Sequence, residues 1–362
     1  MVASAMPLSS SRAGARVRIL LGAWRQRARL EYDWYRLKPT LAREAAPALQ
    51  HLQEIKAALP PGRPLVGVLL AEHLGDIVAA EPVLRRLRRD QPAAHIVWFV
   101  KKAYAELVKD HPDVNDVVLL NSILESEVIV RSGFLDTAVD LHIVGKHCAR
   151  HGLSYRKRWG DPTIDAKNYY LKGALLEALS LSAGLPQLDE QPRLHLGSEI
   201  RARVDARALP SPSIVFHAVS NEALRNWDPA RWQALVARLH EAFAHTIVEV
   251  GLTPSLPNST PGYLSLCGSL SVAETAEVIR RSALFIGIDS GPAHFANAFE
   301  IPSVILLGQY HAFGDYMPYT GHLRRHAERM ILRSPGPCSE LPVDAVFARV
   351  SALLRTGAGV SR

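Results

Sequence analysis

From residue 65 onward, short apolar runs alternate with longer amphipathic stretches. The runs LVGVLL (65–70) and HIVWFV (95–100), residues 114–120, and the DTAVDLHIV stretch within 134–144 read as buried strands. Residues 77–89 and 104–109 read as the helices between them. Upstream, residues 39–59 read as a helix interrupted at Pro47 and closed by Pro60-Pro61-Gly62. After residue 197 the grammar restarts: strand 213–217, polar loop 220–229, helix 230–240, strand 246–250, helix 272–282 and strand 284–288. A helix through Phe299, a strand at 303–307 and a last helix at 343–354 close the chain. Strand and helix alternating at this spacing predict an α/β fold of two Rossmann-like domains with parallel sheets. Two such domains create one cleft, with ligands expected at the carboxyl ends of the strands. The divisions expected are a basic helical N-terminal extension (1–60), an N-terminal Rossmann-like acceptor domain (61–200), a C-terminal Rossmann-like nucleotide-sugar domain (201–330) and a C-terminal helical segment (331–362).

Charge adds one feature to that picture. The 362 residues carry a net charge of +7, and residues 1–30 hold six arginines with no acidic residue. Val17, Leu20, Leu21, Trp24 and Ala28 fall at helical spacing among those arginines, which suits a helix lying on an anionic membrane surface. A solvated basic tail accounts for the same residues. Because the excess sits in a tail and not on a folded face, no nucleic-acid partner is expected. No apolar run reaches membrane-spanning length. Three widely spaced cysteines, Cys148, Cys267 and Cys338, argue for a reducing compartment, so the expected location is cytoplasmic, with peripheral contact at the inner membrane a further expectation.

Candidate chemistry gathers at two strand ends. The stretch ALFIGIDSGPAHFANAFEIPSVILLG (283–308) runs strand, abrupt turn, helix, strand. Asp289 and Ser290 are helix-capping types, Pro292 suits a first helical turn, and Gly291 admits a close neighbour. Free N–H groups and the positive end of a helix dipole then meet at one spot, a ready anion site, although a plain capped crossover reads the same way. Asp76 lies beyond the first strand, in the equivalent place of the first domain; it is either a general base facing the anion site or a simple cap. Arg225, on the loop after the first strand of the second domain, is placed to neutralise a leaving group. The His147-Cys148-x-x-His151 grouping lacks a fourth ligand, and no metal or other cofactor is expected. Lys146, Arg150, Arg156, Lys157 and Arg158 form a basic segment that either meets an acidic substrate or is a solvated loop. No D-x-D, G-x-G-x-x-G, G-x-x-x-x-G-K-[ST] or G-x-S-x-G motif occurs, which disfavours metal-carboxylate transferases, dinucleotide dehydrogenases, P-loop NTPases and nucleophile-elbow hydrolases.

Two long blocks, LLAEHLGDIVAAEPVLRRLRRDQPAAHIVWFVKKAYAELV (69–108) and LCGSLSVAETAEVIRRSALFIGIDSGPAHFANAFEIPSVILLG (266–308), resemble glycosyltransferase family 9, the ADP-heptose:lipopolysaccharide heptosyltransferases. The resemblance implies a GT-B fold and inverting, metal-independent transfer of a heptose or related sugar from ADP-heptose to a lipopolysaccharide-core or other envelope glycan acceptor. It implies that Asp76 is the base, that Gly75 lets its loop sit against the sugar, and that Ser290, Gly291 and Pro292 line the diphosphate with His294 and Asp289 beside them. Arg225 stands where the family pattern has a lysine, and Asp228 where it has a proline. The alternatives are a two-domain nucleotide-sugar epimerase and a non-catalytic nucleotide-sugar-binding homologue.

Overall fold

The computed structural model describes residues 10–157, 159–309 and 313–356, with side chains described from residue 31 onward. The arginine-rich face of residues 1–30, and Arg158, lie outside the described side chains. Chain order in the first domain is α1 (Ser10–Ala58), β1 (Leu65–Leu69), α2 (Leu74–Ala79), α3 (Glu81–Asp90), β2 (His95–Lys101), β3 (Asp116–Leu120), α4 (Glu125–Arg131), β4 (Thr137–Asp140), a short hairpin β5 (His147–Cys148) and β6 (Leu153–Ser154), and α5 (Leu175–Ser182). Its four main strands pair in parallel in the order β3-β2-β1-β4.

Parallel strands are covered on both faces, so their residues are apolar in unbroken runs. On one face Val66, Val68, Trp98 and Val100 pack against Ile77, Val83, Leu84 and Leu87 of α2 and α3. On the other, Leu65, Leu69, Val97, Phe99 and Val118 meet α1. That helix buries Trp34, Leu41, Ala45, Ala48, Leu52 and Ile55, a stripe at steps of seven, four and three residues. Its second half is therefore core of the first domain and not an appendage. The expected break at Pro47 is absent: α1 runs unbroken through Pro39 and Pro47. Both prolines lie on the exposed side, as do Tyr35 and Arg43, whose carbonyls lose their helical partner and can bond water instead. The expected single helix over 77–89 is two helices, and 102–107 forms a 3-10 turn in place of an α-helix.

The second domain continues with α6 (Ser198–Asp205), β7 (Ser213–His217), α7 (Pro229–Ala242), β8 (Thr246–Glu249), β9 (Tyr263–Ser265), α8 (Val272–Arg280), β10 (Leu284–Ile288), α9 (Gly291–Ala298), β11 (Ser303–Leu307), α10 (His322–Arg325), α11 (Ala327–Met330), β12 (Ile331–Arg333) and α12 (Val343–Arg355). Its six parallel strands run β12-β11-β10-β7-β8-β9. Ile214 and Phe216 face α7 and α12 through Trp232, Leu235, Val346 and Val350. Val215, Phe285 and Ile305 face the other way, into apolar packing continuous with the first domain.

Among the described residues the chain crosses between the domains once, along residues 190–197. That crossing is fastened on both sides. Glu81 accepts the Arg193 amide at 2.8 Å, and Arg85 donates to the Gln191 carbonyl at 2.6 Å. The Gln191 side chain donates to the Asn297 carbonyl at 2.7 Å and accepts from the His322 amide at 2.5 Å.

Candidate active site

The carboxyl ends of β1 and β10 meet at the domain boundary, and each leads directly into a helix. Asp76 is the third residue of α2, not its cap; the cap position is His73, which makes no side-chain capping bond. The capping explanation for Asp76 therefore falls away. The residue is 7% exposed, and its carboxylate forms an ion pair through Oδ2 with the Lys146 ammonium. Burial pushes its pKa up, but Lys146, His73 and His294 together outweigh that and hold it below the ordinary carboxylate range. Asp76 is thus an anion at neutral pH, and no described residue donates a hydrogen bond to its Oδ1.

Across the boundary, β10 ends at Ile288 and α9 begins at Gly291. Ser290 occupies the cap position in an extended conformation. Its hydroxyl lies 3.0 Å from His217 Nδ1 and 3.2 Å from the Ile288 carbonyl, so it is tied to the ends of two neighbouring strands and leaves the first amides of α9 without a side-chain cap. Pro292 is buried in the first turn. Asp289 pairs with Arg225 at 3.3 Å and accepts from the Tyr319 hydroxyl at 3.3 Å. Arg225, Asp289, Gly308, Tyr316 and Arg333 line a cavity at the ends of β10, β11 and β12. Arg333 donates to the Gly314 and Tyr316 carbonyls at 2.9 and 2.8 Å and so holds the cavity wall.

His294 joins the two halves. It is buried, its ring packs 4.8 Å from that of Tyr319, and it senses Asp289 on one side and Asp76 on the other. Burial lowers its pKa, so it is neutral here. Gly75 is the residue that it presses on: a Cβ at 75 would come within 2.8 Å of His294 Cδ2. Gly291 makes the reciprocal approach, where a Cβ would meet Leu74 Cδ2 at 2.5 Å. Both glycines are there because the two domains touch. All eight residues singled out in the sequence, Gly75, Asp76, Arg225, Asp289, Ser290, Gly291, Pro292 and His294, fall in this one region. Lys146 as the partner of Asp76, and His217, Tyr316, Tyr319 and Arg333, were not singled out for it; only Lys146 carried a signal, as one of several cations after a strand.

The other described residues of the basic segment do not face the cleft. Arg150 and Arg156 pair with Glu44 and Glu31 of α1, and the buried Lys157 ammonium donates to the His142 carbonyl and to Ser182. The His147, Cys148 and His151 grouping does not converge: His147 is exposed, Cys148 lies in the core, and His151 pairs with Glu44 at 3.0 Å. Among the described residues, Glu81, His111 and His195 come closest to a metal cluster, yet the Glu81 carboxylate is already bridged by Arg85 at 2.9 and 3.2 Å.

Two parallel α/β domains, meeting at their strand ends across one cleft, define the GT-B class. Residues 150–324 match the family model for glycosyltransferase family 9 (heptosyltransferase). The matched stretch, just under half of the chain, is similar to that family. It is 26% identical over 180 residues to lipopolysaccharide heptosyltransferase 3 of Escherichia coli, covering 43% of this chain and 51% of that protein. Lipopolysaccharide heptosyltransferase 1 of Pseudomonas aeruginosa is 24% identical over 285 residues, covering 65% of this chain and 76% of that protein. The match to the E. coli relative thus spans about half of its length. The solved structure of E. coli ADP-heptose lps heptosyltransferase II shares the fold, with a TM-score of 0.61 at 17% identity over 82% of this chain and 100% of that one.

Proposed function

We propose that this chain is an inverting glycosyltransferase that moves a heptose or related sugar from ADP-heptose, or a similar nucleotide-sugar, to a lipopolysaccharide-core or other envelope glycan acceptor. The observation that carries the reading is the buried, ionised Asp76 on the first-domain side of the boundary, opposite the uncapped start of α9 with Arg225 beside it. In this scheme Asp76 Oδ1 takes the proton of the acceptor hydroxyl while that oxygen bonds to the anomeric carbon. The bond from the anomeric carbon to the diphosphate breaks on the opposite face, and the nucleoside diphosphate leaves with the electron pair. The first amides of α9 and the Arg225 guanidinium stabilise the charge that develops there.

Release of ADP from ADP-heptose in the presence of lipopolysaccharide-core acceptors tests the reading. Asp76→Asn is expected to lower transfer by at least ~10²-fold, the range for loss of a general base, with ADP affinity changed less than about twofold. Turnover retained in Asp76→Asn removes Asp76 as the base. ADP binding by the wild type with no transfer to any core acceptor supports the non-catalytic alternative instead.

In the same reading, the basic residues 1–30 bring the enzyme to the cytoplasmic face of the inner membrane, where a lipid-linked acceptor is presented. Removing residues 1–30 is expected to abolish cosedimentation with anionic liposomes at low salt and to leave transfer to a soluble acceptor intact. Unchanged cosedimentation sinks the membrane role.

A further inference from the structure

Lys146 has no place in the transfer scheme above, yet among the described residues it is the one cation in contact with Asp76. It stands on the turn between β4 and the β5–β6 hairpin, and its backbone is fixed there: the Tyr155 amide donates to the Lys146 carbonyl at 2.8 Å, and the Gly145 amide donates to the Tyr155 carbonyl at 2.9 Å. Tyr155 in turn donates through its hydroxyl to Asp140 Oδ2 at 2.6 Å, and Trp159 Nε1 donates to the same oxygen at 3.1 Å. The other oxygen of Asp140 lies 2.9 Å from His142 Nδ1 and 3.0 Å from the His142 amide. His142 Nε2 accepts the Ala71 amide at 2.9 Å, and this settles its tautomer: Nδ1 carries the proton and donates it to Asp140. Ala71 opens the loop that delivers Asp76. One buried network, Asp140 with His142 and Tyr155, therefore braces both the loop bearing the carboxylate and the turn bearing the ammonium.

We propose that Lys146 is a positioning residue for Asp76, pinning Oδ2 so that Oδ1 is presented to the acceptor hydroxyl, with the Asp140–His142–Tyr155 network setting the pair's geometry. This rests on the reading of Asp76 as the base. A carboxylate this buried, without the ammonium, takes up its proton at higher pH and is left free to turn in its site. The other titratable groups within electrostatic reach of Asp76 are His73 from its own loop, Tyr104 from the turn after β2, His294 from α9 and Tyr316 from the second domain's loop. Both histidines are held toward the neutral form by burial, so neither replaces the charge of Lys146.

The test measures the carboxylate itself as well as turnover. In protein labelled with ¹³Cγ-aspartate, Asp76→Asn identifies the Asp76 resonance. The wild type is expected to titrate below the ordinary carboxylate range, Lys146→Met at least one pH unit higher, and Lys146→Arg near the wild type. The acid limb of kcat/KM for transfer is expected to rise by the same amount in Lys146→Met and to return in Lys146→Arg, with ADP affinity unchanged in both. A resonance that titrates alike in wild type and Lys146→Met overturns the proposal, whether or not the chain transfers sugar. A shifted resonance with an unmoved kcat/KM profile overturns the positioning role. Tyr155→Phe, which keeps the ammonium and loosens its turn, guards against a Lys146 variant that does not fold. It is expected to lower kcat with little change in KM, and an unchanged kcat counts against the brace.

Discussion

At the scale of single residues, the cleft is built from charges that check one another. Asp76 is balanced by Lys146 and Asp289 by Arg225, while His217 and His294 are kept neutral by burial. His217 shows what this arrangement costs. Burial pushes its pKa down to about 4, whereas the unfolded chain takes up the proton near the ordinary 6.5. The stability tied to neutral His217 is therefore complete above pH 6.5 and is lost as the pH falls toward 4, by roughly 3 kcal/mol in all. His322, also pushed to about 4, adds to the same limb. Urea unfolding between pH 7 and 4 is expected to show this decline, and His217→Gln to remove about half of it; a decline of full size in the variant assigns it elsewhere. The sequence named Asp76 as a base or a cap at a strand end, Asp289 as a helix-capping type beside an anion site, and Arg225 as a charge for a leaving group. It could not name their partners, since Asp76 and Lys146 stand 70 positions apart and nothing local to either points to the other.

At the scale of elements, the parallel strands were the most legible part. Buried on both faces, they are written as apolar runs, and β1, β2, β7, β10 and β11 appear within a residue or two of their expected places. Edge strands β9 and β12 are three residues long and only half-buried, so they leave no such run. The helix α1 was half legible. Its helical character showed, but Pro47 read as an interruption, and the apolar stripe is thin among charged neighbours. The packing gives that stripe a measurable weight. Leu52→Ala is expected to cost about 2–5 kcal/mol of unfolding free energy, the range for a core leucine, whereas Tyr35→Ala on the exposed side is expected to stay within about 0.5 kcal/mol. Equal effects at the two positions would mean that α1 is not part of the core.

At the scale of the whole molecule, the existence of a cleft followed from two Rossmann-like units, but direct contact between their helix starts did not. Gly75 and Gly291 show in sequence only as permissive residues, and the neighbour that requires each of them belongs to the other domain. Gly75→Ala is accordingly expected to spread the domains, seen as a larger radius of gyration in solution scattering. Transfer is expected to fall at least ~10-fold, because reacting groups held even slightly out of place lose orientation, while ADP affinity, which the proposed function assigns to the second domain, stays within about twofold. An unchanged radius with full turnover would show that His294 simply moves aside.

The crossing at residues 190–197, single among the described residues, carries a mechanical consequence. Two parallel tethers would act as an axle and permit only opening and shutting. One tether is closer to a ball joint, free to swivel as well as to bend, however well its ends are fastened. Alignment of the two halves must then come from the surfaces that meet, chiefly Leu74 on Gly291 and Gly75 on His294. Lengthening the tether would change how often the halves find each other, and leave unaltered the pose in which they lock.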